Sequence, residues 1–124
     1  MIIIALGVVT GPGFARSQYH CATTKVIITT APGRNSSVHL EENLDFWIDD
    51  AARTISLSDG TQLRVTRFSA SWISANLGDI EYEFDRAKGA LTYAGSTTEG
   101  SATTTTVGSG RCERVPEEEW TDSR

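Results

Sequence analysis

The sequence is poor in the residues that most often carry chemistry. Among its 124 residues are two cysteines, two histidines, two lysines and one methionine. No Cys or His set has metal-ligand spacing, and there is no C-x-x-C pair and no H-E-x-x-H. Haem ligation and Cys–His catalysis lack residues for the same reason. Twelve serines are present, but none sits in the G-x-S-x-G elbow that presents a hydrolase nucleophile. The Gly95 to Gly100 stretch has no lysine to meet a phosphate. No EF-hand loop surrounds a calcium ion with oxygens. The expectation is therefore a non-enzyme without cofactor or metal.

Positive charge is also scarce. Lys plus Arg is 11 against 16 for Asp plus Glu, a net charge of −5. That balance lacks the footprint of a phosphate-backbone binder, so nucleic acid is not an expected partner. The acidity is uneven: residues 113–124 hold five acids and two arginines, which leaves residues 16–112 at only −2. Long apolar runs are missing too. Ile2 to Val9 is eight residues, far short of the roughly 20 that span a bilayer as a helix.

What is present points outward from the cytosol. The first fifteen residues carry no charged side chain, and their apolar run breaks at Gly11-Pro12-Gly13. Gly13 and Ala15 then supply small residues at the −3 and −1 positions of a signal-peptidase site. The reading is a signal peptide over 1–15, a single β-domain over 16–112 and an acidic tail over 113–124. A buried first strand is the competing reading of Ile2 to Val9. In an exported chain, periplasmic or secreted, Cys21 and Cys112 are expected to pair and to close nearly the whole domain.

Between the cysteines the apolar pattern has period 2. Leu44, Phe46 and Ile48 alternate with polar neighbours, as do Ile55 and Leu57, Leu63 and Val65, and Ile80, Tyr82 and Phe84. Asp59-Gly60, Gly78-Asp79 and Lys88-Gly89 mark turns between them. Short strands at this spacing predict an all-β, antiparallel meander of seven or eight strands, forming a small sandwich or partly closed barrel. An internal repeat at an offset of 36 relates Leu44-x-Phe46-x-Ile48-Asp49-x-Ala51 to Ile80-x-Tyr82-x-Phe84-Asp85-x-Ala87. In both copies the aspartate stands where its carboxylate can cap a turn.

Two groups of residues are candidates for a surface function. Asp79, Glu81, Glu83 and Asp85 fall on one strand face, and such a row predicts cations opposite, with Arg53, Arg64, Arg67 and Lys88 as the candidates. Trp47 alternates outward between Asp45 and Asp49, and Trp72 has small neighbours that would leave its ring accessible. Exposed aromatics beside carboxylates suit a protein or glycan partner. The functional expectation is a non-enzymatic protein- or glycan-binding module using Asp45, Trp47, Asp49 and Trp72. The alternatives are a carrier of small apolar ligands with a lipocalin-like cavity and an enzyme of undetected type. The Thr103 to Thr106 run reads as β-propensity rather than as a recognition lattice.

Overall fold

The computed structural model describes residues 16–116, which contain eight strands and no helix. They are β1 (Arg16–Ala31), β2 (Arg34–Asp49), β3 (Thr54–Leu57), β4 (Arg64–Phe68), β5 (Trp72–Leu77), β6 (Ile80–Asp85), β7 (Ala90–Glu99) and β8 (Ala102–Arg114). All pair antiparallel in one sheet of order β3-β2-β1-β8-β7-β6-β5-β4. Every strand but β3 thus pairs with its successor in sequence, and β1 pairs with β8. The result is an up-and-down barrel with one seam, between β3 and β4. Of the two all-β forms that the period-2 pattern predicts, a small sandwich or a partly closed barrel, the barrel is the one observed.

The seam is partly stitched. Below the Asp59-Gly60 turn, Leu57 N–H donates to Thr61 O at 2.8 Å and Leu63 N–H to Ile55 O at 3.0 Å. Beyond these bonds β3 and β4 diverge, and Arg53 fills the gap: its Nη2 donates to Phe68 O at 2.6 Å and its guanidinium lies 5.4 Å from the Phe68 ring. Arg86 approaches the same ring at 5.5 Å and binds Asp50 through both guanidinium nitrogens, at 2.9 and 3.0 Å. Asp50 and Arg86 follow the two repeated aspartates, so the turns of the 36-residue repeat hold each other. Both aspartates cap as their position suggests. Asp49 Oδ1 accepts from Ala52 N–H at 3.0 Å, and Asp85 Oδ1 from Ala87 and Lys88 N–H at 3.1 and 3.2 Å.

The alternating residues Phe46, Ile48, Ile55, Leu63 and Phe84 are buried as predicted, and Ile73 and Leu91 are buried with them. Tyr19, Phe46 and Phe84 form a ring cluster with centroids 5.2–5.4 Å apart, Tyr19 stacked on Phe46 and both edge-on to Phe84. Such pairs add directional attraction to the area they bury. Cys21, wholly buried, is bonded to Cys112 directly across the β1–β8 pair.

Two boundaries differ from the sequence reading. Strand β8 continues through Glu113 and Arg114, and Val115 N–H donates to Gln18 O at 2.8 Å, so the domain runs past residue 112. Ladder bonding to β1 outweighs the acidic composition there. The expected signal segment 1–15 and the rest of the tail lie outside the described residues. The second difference is strand length. β1 and β2 are 16 residues each and β8 is 13. Pro32-Gly33 makes their turn, Pro32 restricting one φ and Gly33 supplying the other at 72°. Strands β2, β1, β8 and β7 therefore run on past the barrel as a four-stranded extension.

The disulfide spans 91 residues of sequence. Loop-closure entropy for that length gives roughly 4.6 kcal/mol. Replacing both cysteines, Cys21→Ala with Cys112→Ala, is expected to lower the unfolding free energy by about 2–5 kcal/mol in urea titration. A loss below about 0.5 kcal/mol, within the usual range for neutral surface changes, would show that β1 and β8 hold without the clamp.

Candidate binding surface

The residues nominated from the sequence do not assemble into one site. Trp47 points outward, but it is only 7% exposed. The Arg16 guanidinium lies 4.1 Å over its ring. The carboxylates beside it are engaged locally: Asp45 accepts from His20 Nδ1 at 2.6 Å, and Asp49 caps its turn. Trp72 is half-buried, and its Nε1 donates to Glu83 Oε1 at 2.6 Å. Around the barrel, β3 and β4 separate Trp47 from Trp72. The expected accessible Trp47 is therefore corrected to a covered ring. Alternation gave its direction but could not show what packs over it.

The acidic face is corrected in the same way. Glu81, Glu83 and Asp85 share the outer side of β6, and Asp79 lies in the preceding turn. None of the four forms an ion pair among the described residues. The register sets Asn76, Ser74 and Trp72 opposite them on β5, and Ala94, Thr92 and Ala90 on β7. Neutral donors meet the charge instead: Ser74 Oγ and Trp72 Nε1 both donate to Glu83 Oε1 at 2.6 Å.

The barrel interior is not a ligand cavity either. Between Leu44, Phe46, Ile55, Ile73, Tyr82 and Phe84 the remaining void is about 10 Å³, room for one water. Sites for small ligands usually need about 300 Å³ or more. The inward side chains fill the space that a lipocalin-like carrier would leave for its ligand.

The surface left open is the inner face of the extension, where it leaves the barrel mouth. Tyr93 and Tyr82 stand at that mouth with rings 5.4 Å apart. Tyr93 lies against Gly108, the residue opposite it on β8, and a Cβ there would collide with the ring. Tyr93 Oη donates to Glu42 Oε1 at 2.9 Å, and Lys25 Nζ reaches the same oxygen at 3.3 Å. Thr23 Oγ1 donates to the Glu42 carbonyl at 3.0 Å and lies 3.4 Å from Tyr93 Oη.

Beyond this network the same face carries Leu40 opposite Lys25 and Val38 opposite Ile27. Val38 is 50% exposed and Leu40 41%. Thr29, Thr104 and Thr106 continue the face on the neighbouring strands. It combines apolar patches, both signs of charge and hydroxyls. Residues 34–41 of β2 are all exposed, so nothing among the described residues covers this end of the sheet.

Burial raises the Tyr82 pKa above its ordinary 10.0, with the Glu42 charge adding to it. Burial is also the main cause for Tyr93, opposed by the Thr23 hydrogen bond and reinforced by Glu42. A raised phenol pKa favours the neutral form in the fold. Its contribution to stability is complete below the unfolded value near 10 and disappears as pH rises through the folded values. Tyrosinate absorbance should show both groups ionising late, each late step lost in Tyr82→Phe or Tyr93→Phe. In Glu42→Gln both should move down. Unchanged titration in Glu42→Gln would remove Glu42 from the network. No family model, curated protein or solved structure matches the chain.

Proposed function

We propose that this chain is an exported, non-enzymatic binding module that meets a protein partner on the inner face of its four-stranded extension. The observation that supports it most is a sheet end that nothing among the described residues covers, with exposed Val38 and Leu40 and half-buried Ile27 beside Lys25 and Glu42. A face of apolar anchors framed by polar and charged groups is the usual composition of a protein-binding patch. A protein is favoured over a glycan because neither Trp47 nor Trp72 offers an open ring for a sugar. A filled interior disfavours the carrier. Export is supported by the disulfide and by the uncharged, apolar N-terminal segment.

The reading is tested with a photo-crosslinking residue placed at Leu40, and a control at Thr92 on the outer barrel wall, in cells that make the protein. One discrete adduct is expected from Leu40, absent from Thr92 and lost when Ile27→Asp is added. Equal labelling at both positions would overturn the reading. Mass measurement of the unreduced exported protein should find residue 16 at its start and the mass two hydrogens below the dithiol. An intact Met1 with free thiols would overturn export.

A further inference from the structure

Among the described residues, the extension leaves one long strand edge open. Strand β3 pairs only with Phe46–Asp49 of β2, so residues 34–45 have β1 on one side and no strand among the described residues on the other. Among the described residues a single backbone bond touches that edge: Ser58 N–H donates to Asp45 O at 3.2 Å. This bond fixes which main-chain groups face out. Successive residues of a strand direct their N–H and C=O groups alternately to its two sides. The groups of Asn35, Ser37, His39, Glu41 and Asn43 therefore face the open edge with that of Asp45.

Natural edges are blunted with prolines, charged side chains (lysine above all) or bulges, because an open ladder is a template for another strand. Residues 34–45 contain no proline and no lysine. The β1–β2 register also runs from Arg16↔Asp49 to Ala31↔Arg34 without interruption. The charges on this edge are arranged for attraction. Arg34, Val38 and Glu42 share the inner face, with Arg34 and Glu42 four residues either side of Val38. Turned end for end, the segment presents Glu42 to Arg34 and Val38 to Val38.

We propose that this edge pairs antiparallel, about a two-fold axis at Val38, with the same edge of a second copy of the chain. The proposal does not rest on the protein-binding reading above. In this register Ser37 and His39, whose main-chain groups face the edge, exchange hydrogen bonds across the axis. The two Val38 residues form the non-hydrogen-bonded pair at the centre, where side chains approach most closely. Each Arg34 faces a Glu42, and each Glu41 faces an Asn35, so no like charges oppose one another. A register centred on His39 would set Arg34 opposite Leu44 and Glu42 opposite Ser36, losing both charge pairs. The interface is isologous, as two-fold pairing requires. It joins two four-stranded extensions into one sheet.

Sedimentation velocity of the full chain from about 1 to 200 µM is the test, a range that detects dissociation constants across the micromolar scale. A concentration-dependent dimer is expected. Ser37→Pro removes an edge-facing N–H and no bond to β1, so it should leave a monomer with unchanged circular dichroism. Arg34→Glu should weaken the dimer at least about tenfold while Arg34→Lys retains it. Under oxidation, Val38→Cys should give a disulfide-linked dimer and His39→Cys should not. A monomer across the whole range overturns the proposal. So does a dimer of parental strength in Arg34→Glu, a readout that holds even if Ser37→Pro fails to fold.

Discussion

The pairing of the first described strand with the last is the constraint on which the rest depends. An eight-stranded meander becomes a barrel only if its ends meet, and here β1 meets β8 along twelve register pairs from Tyr19↔Arg114 to Thr30↔Thr103. Cys21–Cys112 lies within that ladder and converts a contact of high sequence separation into a covalent one. Closing so long a loop is entropically costly, and a small core has limited burial to offset it. With the closure in place, Tyr19 of β1 can pack against Phe46 of β2 and Phe84 of β6 across the interior. The core therefore presupposes the closure, and the closure brings the ring cluster together.

The two ends of the barrel are finished differently. At one end Arg53 and Arg86 flank Phe68, and the Asp50–Arg86 pair ties the turns of the internal repeat. The guanidiniums there serve as packing surface as much as charge. At the other end no such cap is present among the described residues. The four long strands continue outward, and the polar network of Thr23, Lys25, Glu42 and Tyr93 marks the change from packed core to open sheet. Strand length alone creates the asymmetry: β3, β4, β5 and β6 stop after four to six residues while their neighbours continue.

Which parts of this were legible in the sequence follows from range. Phe46, Ile48, Ile55, Phe84 and Leu91 announce their inward direction by alternation, because the side-chain period of a strand is local. The caps at Asp49 and Asp85 are equally local. Residues 34–43 gave no strand signal, since Arg-Asn-Ser-Ser and Glu-Glu-Asn have little β-propensity. They are extended because β1 pairs with them across the Pro32-Gly33 turn. The candidate surface was hidden for the same reason: Lys25, Glu42, Tyr93 and Gly108 come from four strands and share no pattern along the chain.

The sequence by itself determined the all-β class, the inward faces, the turn caps and the cysteines available to pair. Each of these rests on interactions within a few residues or on the sheer scarcity of an alternative. Tertiary structure alone decided that Trp47 is covered, that the acidic face of β6 meets Ser74 and Trp72 rather than arginines, and that the interior is full. It also decided that four strands outrun the barrel and that nothing among the described residues covers their edge and inner face. Those outcomes depend on register and relative strand length, which pairing between distant segments sets.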